Sequence, residues 1–198
     1  MKTPTLASCR ERWLSAWAVL VERTYRLGED AEPRTFHSFR VADYATALAV
    51  TRDSRVPLVR QFRPVLQRVT LELPTGLIEE DEDPGVGALR ELVEETGLSS
   101  PGPPVPLPSL SPDTGRLENK VRGFFLGDAE GPAPGWKPEP GVEPIVVSSL
   151  ELRDLVLSGH FHHAPHVAII GQALLAGLLD FDLRSARGRG HQWPADIS

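Results

Sequence analysis

The amino-acid sequence predicts an α/β protein, an α/β/α sandwich built on a mixed β-sheet. Three observations predict it. Strand-like runs lie on both sides of one central helical segment. That segment carries its own start and stop signals. A second, more apolar helical segment follows the last strand. The chain has 198 residues, enough for one domain with a hydrophobic core and a small N-terminal addition. The expected regions are N-terminal strands at 1–44, the main domain at 45–183 and a polar, glycine-containing tail at 184–198.

Taken in order, residues 13–26 read as one or two strands and 35–41 as another, joined through a turn at 28–33. Residues 45–50 and 56–62 read as a hairpin around 52–55. Residues 70–73 form a short strand leading into a loop. A helix is expected over 84–96. Asp83 suits its N-cap, and Pro84 suits the first helical position, where a missing N–H leaves nothing unpaired. Gly97 suits the left-handed position that ends a helix. Val86, Leu89, Leu92 and Val93 recur at helical spacing and predict an apolar stripe facing a core. Glu91, Glu94 and Glu95 then fall on the opposite side. Residues 99–108 are rich in Pro and Gly and read as an extended connection. Strands follow at 120–126 and 145–147, a short helix at 150–158, and an apolar helix at 166–179 with Pro165 at its start. The sequence has no internal repeat.

The three glutamates are electrostatically costly. Like charges three and four residues apart repel. In the last turns of a helix the dipole disfavours each anion by roughly 0.3–1 kcal/mol. Local choices that break the rules of stability tend to mark function. A hard divalent cation with oxygen ligands turns such repulsion into coordination. The plainer reading is a solvated acidic face with ordinary Arg–Glu pairing.

The stretch GLIEEDEDPGVGALRELVEETGL resembles the Nudix box, G-x5-E-x7-R-E-U-x-E-E-x-G-U, with U an aliphatic residue. Gly76, Glu82, Arg90, Glu91, Leu92, Glu94, Glu95, Gly97 and Leu98 fill its fixed positions. The resemblance implies the Nudix fold and cleavage of diphosphate bonds in nucleoside diphosphates linked to another group. It implies Glu91, Glu94 and Glu95 as metal-binding carboxylates, with a backbone carbonyl from Thr75 or Gly76. The implied cofactor is Mg2+, with Mn2+ able to substitute. Arg90 and Glu82 are implied to orient and support the metal-binding helix.

The flanks narrow this. VRQFRP and LELPTG precede the box and resemble the ADP-ribose and ADP-sugar pyrophosphatase branch. In that branch the arginine matching Arg63 lies by the substrate diphosphate, and a planar guanidinium suits phosphate oxygens. The other reading of Arg63 is a pair with Glu72. The resemblance also places Leu77, Trp17, Phe36, Arg40 and Glu118 among substrate contacts, with Trp17 and Phe36 stacking the adenine. Around Glu118, SPDTGRLE departs from the branch's S-P-G-x-x-x-E by carrying Asp113 after the proline and one extra residue. The general base is expected in the loop GPAPGWKPEPGVEP, at Glu143 first and Glu139 second. The implied reaction is metal-dependent hydrolysis of ADP-ribose or a related ADP-sugar to AMP and a sugar phosphate, in a homodimer. Two other readings stay open. One is the same chemistry on a dinucleotide, a GDP-sugar or a flavin cofactor. The other is a non-catalytic sensor that binds ADP-ribose.

Composition excludes some partners. A formal net charge of -6 gains nothing from a nucleic-acid polymer. An anionic small substrate remains compatible, because metal ions and local arginines set the field of a site. The single Cys9 forms no internal disulfide and fits a reducing, cytoplasmic compartment. The apolar run at 13–21 is too short to span a membrane and is not followed by a signal-cleavage site. His160, His162, His163 and His166 cluster in the sequence, but their spacing matches no common zinc pattern.

Overall fold

A computed structural model describes residues 3–28, 31–132 and 135–181. The expected tail at 184–198 lies outside the described residues. The described residues fall into two units, those within Met1–Asp43 and Ser111–Lys120, and those within Tyr44–Leu110 and Val121–Ser198.

The first unit is an antiparallel meander of β1 (Thr5–Ser15), β2 (Ala18–Arg26) and β3 (Arg34–Arg40). Residues 13–26 are therefore split between two strands, and Trp17 occupies the turn between them. There its N–H donates to Ser15 Oγ at 3.1 Å. The sequence hides most of β1 because every residue along it is exposed, so no buried face imposes a period of two. A segment from much later in the chain completes the unit. Phe39 donates its N–H to Arg116 O (2.7 Å) and accepts from Glu118 N–H (3.0 Å).

The second unit contains β4 (Tyr44–Thr51), β5 (Arg55–Arg63), β6 (Arg68–Glu72), β7 (Thr75–Leu77), α1 (Pro84–Thr96), β8 (Val105–Pro106), β9 (Val121–Ala129), β10 (Val142–Ser148), α2 (Ser149–Leu157) and α3 (Ala164–Leu175). Its strands form two sheets, β7-β4-β9-β8 and β10-β5-β6. The first is mixed, since β4 runs parallel to β9 and antiparallel to β7. Side chains alternate across a strand, and β4 uses both faces. Ala45, Ala47 and Ala49 pack with Ala88 and Leu92 of α1. Leu48 packs in a second core with Leu152 of α2 and Ile169, Ile170 and Ala173 of α3. Helices therefore cover both faces, which is the expected α/β/α order. Among the described residues, no helix is long and apolar enough to cross a membrane.

Helix α1 begins and ends as its sequence predicts. Asp83 accepts from the N–H groups of Gly85 (2.9 Å) and Val86 (3.2 Å), and Gly97 adopts φ 72°. Its buried face differs from the expectation. Val86 is 56% exposed and Val93 is 36% exposed, while Glu91 and Glu95 are buried. The reason is size. Gly87 and Ala88 face the alanines of β4, and a methyl on Gly87 would come within 3.3 Å of Ala45 Cβ. Such small residues bring helix and strand close enough to take the two carboxylates under cover. Only Glu94 of the three stays at the surface. Helix α3 ends earlier than expected, at Leu175. Gly177 turns left-handed (φ 68°), and Leu178 donates its N–H back to Ala173 O at 2.9 Å.

Candidate active site

The segment after β6 turns at Pro74 into the short strand β7, which pairs with β4 at Thr46↔Thr75 and Ala45↔Gly76. This lays the turn against α1. A Cβ on Gly76 would lie 1.9 Å from Glu91 Oε1, so only glycine fits where that carboxylate sits. Thr75 donates its N–H to Glu95 Oε2 at 2.9 Å. Two buried glutamates therefore converge on Thr75 and Gly76. Arg90 braces the arrangement from one side. Its Nε and Nη2 donate to Glu82 (2.8 and 3.1 Å), and Nη1 to Glu91 (2.6 Å) and Glu94 (3.0 Å). Nη2 also donates to the carbonyl of Leu77 at 3.0 Å, joining the helix to β7. Glu82 Oε2 closes the loop by accepting Glu79 N–H at 3.0 Å.

The electrostatics follow from this geometry. Burial pushes the Glu91 carboxyl above its ordinary range, against the pull of Arg90. Burial pushes Glu95 up to about 7, opposed by the Thr75 N–H and reinforced by the charges of Glu91 and Glu139. The hydrogen bonds from Arg90 and the Glu79 N–H hold Glu82 at about 2. The fold thus supplies cations and donors for Glu82 but leaves Glu95 under-compensated. Strongly perturbed acids in one place mark a functional-site candidate. The donor set is all oxygen, and Arg90 bonds Glu91 and Glu94 while Glu95 takes a backbone N–H. An all-oxygen set suits a hard divalent cation, with Glu91, Glu95, Glu94 and the carbonyl of Thr75 or Gly76 as the available ligands.

A cavity of about 610 Å3 opens beside the turn, lined in part by Tyr44, Arg63, Gly76, Leu77 and His163. Arg63 donates from Nε to Glu72 Oε1 at 2.7 Å and from Nη2 to Oε2, so its fork is engaged by Glu72. Burial alone would raise Glu72. Arg63 and the Thr70 hydroxyl instead hold it at about 2. Ligand atoms of Glu72, His163 and His166 also lie within 4.8 Å of one another. That cluster is a poor metal site, because both oxygens of Glu72 and both ring nitrogens of His166 already have hydrogen-bond partners.

The two loop acids separate. Glu143 lies in β10 opposite Arg60 of β5 and pairs with it at 3.0 Å. The charge of Glu139 is the least of the influences that raise the Glu95 carboxyl. Trp136 pins the same loop to α1, donating Nε1–H to Glu94 O at 3.2 Å. Gly97 makes room for it, since a Cβ there would lie 2.6 Å from the indole.

In the first unit, Trp17 is 73% exposed and Phe36 is 50% exposed, with Phe36 edge-on to Tyr25. Arg40 pairs with Glu11 through both terminal nitrogens (3.0 and 2.7 Å), and its Nε donates to Glu118 at 3.2 Å. Glu118 also takes hydrogen bonds from Arg23 and Ser38. The structure therefore brings Arg90, Glu82, Glu91, Glu94, Glu95, Thr75, Gly76 and Leu77 into one constellation. Arg40 and Glu118 belong to a separate ion-pair network. Sequence reasoning weighed His166 only within a histidine cluster, and it missed Trp136. For the first, the available signal was a histidine at the start of an otherwise largely apolar helical stretch. The signal for the second was a tryptophan within a proline-rich loop.

Residues 42–164 match the NUDIX domain family, which is more than half of the chain. A stretch of 53 residues is 47% identical to the ADP-ribose pyrophosphatase of Bacillus subtilis (strain 168), covering 27% of this chain and 29% of that protein. A stretch of 90 residues is 41% identical to the ADP-sugar pyrophosphatase of Mus musculus, covering 40% and 41%. The chain thus matches well under two thirds of the length of either relative. A solved structure described as an ADP compounds hydrolase shares the fold, with a TM-score of 0.74, 20% identity, and 96% and 98% of the two chains covered.

Proposed function

The chain belongs to the NUDIX domain family, and we propose that it hydrolyses the diphosphate bond of ADP-ribose or a related ADP-sugar, releasing AMP and a sugar phosphate. The observation that carries this reading is the convergence of Glu91 and Glu95 on the turn at Thr75 and Gly76. The proposed cofactor is Mg2+, with Mn2+ able to substitute, held by Glu91, Glu94, Glu95 and the carbonyl of Thr75 or Gly76. When bound, the ion neutralises charge on the diphosphate and acidifies water.

The chain's own residues do the rest. Arg90 fixes Glu91 and Glu94 on one side and ties them to Leu77 and Glu82. Glu95, whose carboxyl burial pushes up to about 7, would serve as a ligand in its ionised form. Glu139 is the proposed general base, in preference to Glu143, because Glu139 is the loop acid whose charge reaches Glu95. It takes a proton from the attacking water. The water oxygen bonds to one phosphorus, the bridging P–O bond breaks, and the departing phosphate keeps the electron pair. Arg63, held in plane by Glu72, faces the cavity and is the proposed contact for diphosphate oxygens. Leu77 lines the same cavity as a proposed substrate contact. Trp17 and Phe36 are proposed to stack the adenine, and their exposed rings support this. Arg40 and Glu118 are proposed to act with them. The proposed assembly is a homodimer and the proposed compartment the cytoplasm, where the exposed thiol of Cys9 is stable.

The test is a substrate panel with Mg2+: ADP-ribose, ADP-glucose, GDP-mannose, NADH and diadenosine polyphosphates, with monophosphate release measured. AMP from ADP-ribose or ADP-glucose is expected. Faster turnover of another member would transfer the proposal to that substrate class. Tight binding of ADP-ribose with no cleavage would favour a sensor.

A further inference from the structure

His166 is buried in α3 to 1% exposure, beside the rings of Phe161 and His163 and with a ligand atom within 4.8 Å of Glu72, where an unpartnered polar ring would be costly. Both of its ring nitrogens reach the turn that precedes β7. Nδ1 accepts the N–H of Leu73 at 3.2 Å. Nε2 lies 3.2 Å from Thr75 Oγ1. A nitrogen that accepts from a backbone N–H carries no proton, so in the neutral ring the proton sits on Nε2 and is donated to Thr75 Oγ1. The threonine hydroxyl in turn donates to Leu73 O at 2.9 Å. One imidazole therefore ties together both sides of Pro74, a residue with no N–H of its own. The next donor along is the Thr75 N–H, which binds Glu95.

We propose that His166 is a positioning residue for the metal-binding turn: by bridging Leu73 and Thr75 it fixes the backbone that presents Thr75 N–H to Glu95 and the Thr75 and Gly76 carbonyls to the ion. The inference rests on the metal-dependent reading above. It assigns His166 a role outside metal ligation, since neither ring nitrogen keeps a lone pair to offer.

The experiment compares the full chain with His166→Leu and His166→Asn. Mn2+ binding is followed by electron paramagnetic resonance, which needs no turnover, beside melting temperature, kcat and KM. His166→Leu is expected to weaken Mn2+ binding by roughly 10- to 100-fold and to lower kcat, as loss of a residue supporting metal ligands does. KM should change little. His166→Asn, whose amide oxygen can accept from Leu73, should recover part of the loss. A purely structural histidine would lower the melting temperature and leave Mn2+ affinity unchanged. A folded His166→Leu with wild-type Mn2+ affinity and kcat would overturn the proposal. If His166→Leu does not fold, Thr75→Ala removes the other end of the bridge and carries the same expectation and the same overturning result. Wild-type protein that binds Mn2+ yet cleaves nothing in the panel would refute the hydrolase reading and leave this test decisive.

Discussion

Glu95 and Glu72 are both buried glutamates, yet their surroundings treat them in opposite ways. Burial raises Glu95 to about 7, against one backbone donor and the more distant charge of Arg63. Arg63 and Thr70 overcome the burial of Glu72 and hold it at about 2. The first is the proposed metal ligand, and the second is held by its pair with Arg63. The difference predicts a pH effect on stability. A carboxyl with a depressed folded pKa stabilises the fold above its unfolded value, near 4.5, and loses that contribution as pH falls toward about 2. Glu72→Gln should therefore narrow the stability gap between pH 5 and pH 2.5 relative to wild type in matched denaturant titrations; an unchanged gap would refute the pairing. The loop acids carry a second prediction. Glu139→Gln should lower kcat by roughly 100- to 10,000-fold, while Glu143→Gln, which loses only the exposed pair with Arg60, should stay near wild type. The opposite ranking in steady-state kinetics would return the role to Glu143. At this scale the glutamate cluster was legible from its spacing. Its burial was not, because the close approach of α1 depends on alanines of β4 distant in sequence.

At the scale of elements, α1 was the most legible part of the chain. Asp83, Pro84 and Gly97 are local signals, and local signals survive without knowledge of the fold. The three-residue β7 was hidden, because the strand it pairs with, β4, lies far back in the chain. The end of α3 was also hidden, since leucines continue past the point where Gly177 turns the backbone. Gly97 belongs to two elements at once. It ends α1 with φ 72°, and it leaves room for Trp136 of the loop that carries Glu139. Gly97→Ala should thus cost more than the roughly 1–2 kcal/mol of a left-handed alanine alone, measured by urea unfolding. A cost below that would show that the indole yields freely. Turnover should fall further than stability accounts for, because the displaced loop is the one proposed to hold the base.

At the scale of the whole molecule, the order of strands and helices was readable and their grouping was not. Ser111–Lys120 joins the N-terminal meander through backbone bonds between Phe39 and its neighbours, a pairing that no local pattern encodes. The meander itself shows why β1 escaped notice. It exposes Leu6, Trp13 and Leu14 on the strand and Trp17 just beyond it, so its apolar residues have no interior to report. Large apolar groups such as Trp13, Leu14 and Trp17, gathered at one end of a meander, are candidates for an interaction surface. We expect a dimer by multi-angle light scattering, and Trp13→Arg should shift it toward monomer; a wild-type monomer at micromolar concentration would contradict the proposed assembly. The proposed metal-dependent diphosphatase site is formed by α1 and the turn before it. Its most direct test is AMP release from ADP-ribose on adding Mg2+ to wild type and to Glu95→Gln. Mg2+-dependent release by wild type is expected, with a loss of about 100-fold or more in a stably folded variant. Release that survives the Glu95→Gln change undiminished, or no release by wild type, would contradict the proposed site.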